Sequence, residues 1–197
     1  MEFIYTRNPE AETPIMLINK HIGMDDDAGA GIMGDQFQNE LLELDRMGKR
    51  LVNVWINSPG GSVMDGFNIY SAIKSTKCKV DTYCMGVAAS IAALVFQAGR
   101  NRVMMDFAKL MYHQTSGAGN DTLAQFNDSI ASAISANTGT SKEEVFKIMY
   151  RTTWMSATDA VANGFADSIQ NTGMMNKGNL AKSTNCTDFV QVMNSLL

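Results

Sequence analysis

The chain has 197 residues, 45% of them hydrophobic, and a formal net charge of −4. Such a length and composition support one domain with a sizeable core, and the acidic balance offers no basic face for nucleic acid. No apolar run approaches the roughly 18 residues that span a bilayer, and the N-terminus lacks a basic-then-apolar leader, so a cytoplasmic protein is expected. Three cysteines, Cys78, Cys84 and Cys186, are odd in number and lack metal-site spacing, which points to reduced thiols and no bound metal.

Residues 1–12 are polar around Phe3-Ile4-Tyr5 and read as an N-terminal arm before a domain over 13–170. Ile15 to Ile18 is a short apolar run, the mark of a buried strand. Residues 23–34 combine glycines with Asp25-Asp26-Asp27 and read as a solvated loop, because the ligand spacing of a calcium loop is missing. Phe37, Leu41, Leu44 and Met47 fall at helical spacing, with Asp35 as a cap and Gly48 as the stop. Leu51 to Asn57 alternates as a strand and runs into Ser58-Pro59-Gly60-Gly61-Ser62, and Val63 to Lys74 is a second helix. Lys79 to Met85 is another strand, and Ile91 to Ala98 a short apolar helix. Strands and helices in alternation predict a parallel sheet with right-handed crossovers.

Ser90 stands where that third strand turns into the helix. An N-cap role would explain it. A second explanation is chemical, because the first backbone N–H groups of a helix are free and can receive a developing oxyanion. Pro59-Gly60-Gly61 leaves the carboxyl end of the neighbouring strand, and in open α/β sheets such ends line one crevice. Short strands at Arg102 to Met105 and Lys109 to Tyr112 follow, the second delivering His113; His21 has no comparable setting and reads as structural. Asp121 to Ala136 carries an apolar helical stripe, and Ser141 with Glu144 forms the pattern of a capping box that opens a helix through Tyr150.

Ile56-Asn57-Ser58-Pro59-Gly60-Gly61-Ser62, Gly86-Val87-Ala88-Ala89-Ser90 and Met111-Tyr112-His113-Gln114 occur in that order, followed by Thr153-Trp154-Met155-Ser156-Ala157 and Ala166-Asp167-Ser168-Ile169. Together they resemble the proteolytic subunit of the Clp protease (ClpP) and its phage and prophage relatives, over about residues 15–169. The resemblance implies an α/β, crotonase-like fold of repeated ββα units, assembled as a homo-oligomer of stacked rings around a proteolytic chamber. It implies Ser90 as nucleophile, His113 as general base and the N–H groups of Gly61 and Ile91 as the oxyanion hole. A protein or peptide substrate would lie extended between Gly60, Ser62 and Val63 on one side and Gln114 and Thr115 on the other. The helix over 121–136 would be the handle through which rings stack, although a stripe of that width is equally an ordinary core face. No cofactor is implied. The chain lacks a phosphate-binding Gly-x-x-x-x-Gly-Lys-Ser/Thr loop, so any ATP-driven unfolding belongs to a separate ATPase partner.

The pattern breaks at the third triad member. Counting back from Met155, the family's acid falls on Thr152, whose hydroxyl can accept a bond from the His113 ring but brings no charge. Three outcomes follow: Thr152 completes a weak triad, another carboxylate such as Asp106 or Asp128 substitutes, or the site is nearly dead. Thr115 also departs from the family, whose ring-forming subunits usually carry proline after His-Gln. The expected function is a serine endopeptidase of Clp type, in its phage variety a maturation protease for head proteins. The alternative is a crotonase-fold assembly subunit with impaired catalysis. A Ser-Lys peptidase would need a lysine at Ser90, for which Lys109 is a poor candidate. Residues 171–197 are rich in Asn, Ser and Thr and read as a tail.

Overall fold

The computed structural model describes residues 2–25, 29–117 and 120–172. The strands are β1 (Thr6–Arg7), β2 (Ile15–Ile18), β3 (Met24–Asp25), β4 (Gly29–Ala30), β5 (Leu51–Ser58), β6 (Lys79–Ala89), β7 (Arg102–Met105), β8 (Lys109–Tyr112), β9 (Thr153–Ser156) and β10 (Ser168–Gln170). The helices are α1 (Gly34–Arg46), α2 (Val63–Ser75), α3 (Ile91–Phe96), α4 (Asn120–Thr138), α5 (Lys142–Tyr150) and α6 (Ala157–Ala162).

The main sheet runs β1-β2-β5-β6-β7-β10, with parallel pairing from β2 through β10 and an antiparallel edge at β1. Alternation along its strands sorts the faces. Met16, Ile18, Val54, Ile56, Val80, Cys84 and Met104 are buried in one core with Phe37, Leu41 and Leu44 of α1, Ile69 and Ile73 of α2, and Leu94 and Phe96 of α3. On the other face Leu17, Trp55, Tyr83 and Val103 form one rung across four strands and are only half-buried. Burial pushes the thiols of Cys78 and Cys84 up to about 11 and about 12.

β6 is the element that makes the fold work. Its first half pairs with β7 at Thr82 to Cys84, and its second half pairs instead with β8 at Val87 to Ala89, off the main strand path. The expected strand ending at Met85 is therefore four residues longer. Small residues from Gly86 onward look like a turn in sequence, yet β8 supplies the ladder partners that keep them extended. Asn57 Oδ1 accepts from the Val87 N–H at 3.1 Å where the ladder to β5 is irregular. A Cβ at Gly86 would lie 2.7 Å from that oxygen, so a larger residue would push the Asn57 side chain off this bond.

Two further expectations need correction. The arm is partly sheet: β1 pairs with β2, and Glu40 of α1, fully buried, accepts bonds from the backbone N–H groups of Ile4, Tyr5 and Thr6. Asp35 does not cap α1. The N-cap is Met33, without a side-chain bond, and Asp65 of α2 accepts from Gly34 N at 2.8 Å in its place. Ser141 does cap α5, accepting from Glu144 N, and the reciprocal capping box occurs at α6 between Ser156 and Asp159. α4 divides along its length, with Asn127, Ile130, Ala131 and Ile134 buried and Leu123 and Phe126 only half-buried. The expected tail lies outside the described residues apart from Asn171 and Thr172, as do Asp26 and Asp27 of the acidic triplet. Among the described residues no helix is long and apolar enough to cross a membrane.

Candidate active site

β6 and β8 run side by side, with Ala89 opposite Met111, and the ladder continues one step as Ser90 N donates to Met111 O at 2.8 Å. That register sets Ser90, at the end of one strand, beside His113, just past the end of the other. Ser90 Oγ and His113 Nε2 are 2.7 Å apart. Ser90 has φ 58° and ψ −127°, a backbone state that costs a non-glycine residue about 1–3 kcal/mol and persists only where surrounding structure enforces it. Its hydroxyl makes no cap bond to α3, so an N-cap role does not account for it. The strained turn lifts the hydroxyl off the helix and toward the imidazole.

The glycine loop lies directly against this turn. A Cβ on Gly60 would fall 2.7 Å from both Ala89 O and Ser90 Cβ, and one on Gly61 would run into the Ile22 carbonyl and the His21 ring. Both residues have positive φ, 100° and 144°. The loop is clamped from outside, since Ile22 N donates to Gly60 O and Ser62 N to Ile22 O, each at 2.8 Å. His21, taken as structural from sequence, thus packs against the loop. The Gly60 N–H is used by Ser58 Oγ at 3.1 Å. Among the described residues neither the Gly61 nor the Ile91 N–H has a hydrogen-bond partner. Ile91 N is the first N–H of α3, and such groups carry partial positive charge suited to an oxyanion.

Across the site, Gln114 is exposed and Thr115 half-buried. Thr115 N donates to Asn127 Oδ1 at 2.9 Å and its hydroxyl to the same oxygen at 3.2 Å. A proline here would have no N–H to donate. Asn127 is therefore a residue that sequence reasoning missed; it sits mid-helix on α4, where only its burial beside Thr115 reveals it. Ser62 caps α2 through Asp65 N, and Val63 is the first residue of that helix.

Behind His113 a buried polar network fixes the end of β8. Gln97 Nε2 donates to the Tyr112 hydroxyl at 2.7 Å and to Phe165 O at 2.9 Å, while Arg102 Nη1 donates to Gln97 Oε1 at 2.6 Å. Arg102 also forms a bidentate pair with Asp167, whose carboxyl the guanidinium holds below its usual value. Burial raises the Tyr112 hydroxyl well above its ordinary value, so it stays a neutral partner.

Thr152 is where the site is incomplete. β8 and β9 are antiparallel with Tyr112 opposite Thr153, which sets Thr152 level with His113. Its φ is 51°, and it is exposed. Among the described residues its hydroxyl makes no bond to His113, and no carboxylate bonds the ring. The two stand-ins are engaged elsewhere: Asp106 accepts from Thr172 Oγ1 at 2.6 Å, and Asp128 pairs with Lys142 at 2.6 Å. Lys109 is exposed and pairs with Val87 and Ser156, away from Ser90.

The family model described as Clp protease matches residues 15–173. Proteolytic subunit 2 of the ATP-dependent Clp protease of Chlamydia abortus is 34% identical over 133 residues, covering 61% of this chain and 65% of that protein. Subunit 2 of Corynebacterium diphtheriae is 34% identical over 132 residues, covering 61% and 66%. The chain thus spans just under two thirds of the length of these relatives. Among solved structures, a single-substitution mutant of ClpP1 from Listeria monocytogenes superposes with a TM-score of 0.71 at 25% identity, covering 80% of this chain and 91% of that one. With its mixed sheet, its split β6 and this match over most of its length, the chain belongs to the Clp protease family.

Proposed function

We propose that this chain is a serine-type endopeptidase subunit of Clp type. The observation that carries the reading is the 2.7 Å contact between Ser90 Oγ and His113 Nε2 at a strained strand-to-helix turn. Ser90 Oγ–H donates to the neutral Nε2. As the oxygen attacks a peptide carbonyl, the ring takes the proton and then returns it to the leaving amine, and water repeats the sequence on the acyl-enzyme. The N–H groups of Gly61 and Ile91 receive the oxyanion, and Gly60, Ser62, Val63, Gln114 and Thr115 hold the extended substrate. Thr152 leaves the imidazolium without a carboxylate, so turnover is low. In other serine proteases, loss of the acid with serine and histidine kept costs about 10⁴-fold.

The half-buried rung of Leu17, Trp55, Tyr83 and Val103 supports assembly into a homo-oligomer, in which stacked rings would enclose the site. The relatives are named as proteolytic subunits of an ATP-dependent enzyme, and a separate ATPase partner would supply that dependence here. A phage or prophage origin, with head-protein maturation as the task, is the finer reading supported by Thr153-Trp154 before Met155, a pairing common in the phage variety of the family. The second reading, an assembly subunit without useful activity, is favoured by one observation, the missing carboxylate at His113.

Labelling with a fluorophosphonate decides between them. Ser90 displaces fluoride at phosphorus, and intact mass reports one adduct per chain. An adduct on the wild type that is absent in Ser90→Ala and His113→Ala supports the peptidase. No adduct on folded, assembled wild-type protein after long incubation would leave the assembly subunit.

A further inference from the structure

At the end of the sheet opposite Ser90, the amino ends of β5 and β6 open onto a recess of about 460 Å³ lined by Lys49, Arg50, Leu51, Lys77, Lys79 and Arg100. Lys79 opens β6 and Ser90 follows its last residue, eleven residues on and about 36 Å along the strand at standard rise, so this recess is separate from the crevice at Ser90. Its frame is rigid. Lys79 N donates to Arg50 O at 3.0 Å, and Arg100 N to Val80 O at 2.7 Å, which stitches the three chain segments together at their backbones.

Its charge is also only partly compensated. Asp45 is occupied by the N–H groups of Lys77 and Cys78 and by the Cys78 thiol, and Asp81 takes both ends of the Arg100 guanidinium. Lys49 Nζ bonds a neutral acceptor, Ala11 O, at 2.7 Å. Among the described residues, Lys49, Arg50, Lys77 and Lys79 have no ion pair. A chain of net charge −4 thus gathers four cations without an ion pair at one concave spot, against the single carboxylate of Asp45 beside Lys77.

We propose that this recess docks an acidic peptide segment of a separate protein, through at least two Asp or Glu side chains. The four cations come from two segments, 49–50 and 77–79, which suits two or more spaced carboxylates better than one compact anion. Among the described residues no aromatic side chain lines the recess to stack a base, which disfavours a single-stranded nucleic acid. Leu51 offers the segment an apolar contact between the charges. This docking does not depend on whether Ser90 is active.

The probe is a fluorescein-labelled deca-glutamate peptide, titrated with the full-length protein and followed by anisotropy at about 50 mM and about 300 mM salt. The expected result is saturable binding that weakens with salt and falls at least about tenfold in the Lys77→Glu/Lys79→Glu double variant. Both side chains are exposed, so the variant should keep its circular dichroism and its Ser90 labelling; should it misfold, Arg50→Glu takes its place. Absence of binding, or binding indifferent to the charge reversals, overturns the proposal. So does equal or tighter binding of a ten-residue oligothymidylate, or displacement of the peptide by inorganic triphosphate at equal charge concentration.

Discussion

Tyr112 and Thr153 face one another across β8 and β9, and the next residue of each strand toward the site is His113 and Thr152. A threonine with φ 51° is an uncommon occupant of that state, whereas aspartate tolerates it. The position thus keeps the backbone an acid would use while lacking the acid. Thr152→Asp is expected to raise the fluorophosphonate labelling rate by about 10²-fold or more, because a carboxylate there would stabilise the imidazolium. A rate unchanged in the folded variant would mean that a side chain at 152 does not reach the ring.

Gly60 makes a second test of the site. Gly60→Ala places a methyl group 2.7 Å from Ala89 O and Ser90 Cβ at φ 100°, so the glycine loop, the proposed oxyanion site, must retreat from Ser90. Labelling should fall by about 10²–10³-fold, the magnitude seen when an oxyanion donor is lost. Gly48→Ala is the control: it also has positive φ, 74°, but open space around it. That variant should lose about 1–2 kcal/mol of stability and keep its labelling rate.

Asn127 is predicted to act on the site through Thr115. Asn127→Ala removes the acceptor of both Thr115 bonds and frees the segment that follows His113. Labelling should slow by about tenfold, since small misplacements of catalytic groups are costly. Asn127→Asp retains an oxygen at that position and should restore most of the rate. Slowing in both variants alike would point to a fold defect instead.

The Arg102–Asp167 pair predicts the direction of a pH effect on stability. The guanidinium holds the Asp167 carboxyl below its unfolded value of about 4 despite partial burial. Its contribution is therefore complete above pH about 4 and disappears as pH falls through the depressed folded value. Asp167→Asn should lower the urea midpoint at pH 7, where it leaves the buried Arg102 charge without its partner, by about 1–3 kcal/mol in unfolding free energy. The gap between variant and wild type should shrink toward pH 3. A gap that stays constant would assign the loss to packing.

Much of this arrangement was legible in the sequence. Hydrophobic periodicity located α1, α2 and α4, the Ser141–Glu144 capping pattern located α5, alternation located β5, and short stretches located β2, β7 and β8, because burial on one face imposes the period directly on the residues. Ser90, His113 and the Pro59-Gly60-Gly61 loop stood out because their motifs are local. The residues overlooked are those whose meaning depends on a distant partner. Asp65 caps a helix that is not its own, Glu40 binds the arm from the buried face of α1, and Asn127 reads as an ordinary helix residue until Thr115 is beside it.

The sequence by itself determined the alternation of strands and helices, the strand-to-helix turn at Ser90, the histidine after β8, and the absence of an acid at 152, since each is a matter of residue type at a local position. Only the tertiary structure decided that β6 changes partners from β7 to β8, and with it the 2.7 Å approach of Ser90 to His113 across a separation of 23 residues. Likewise, only the tertiary structure gathered Lys49, Arg50, Lys77 and Lys79 around one recess. Distances between residues far apart in the chain are set by sheet register and by which backbone groups find partners, and those are properties of the whole fold.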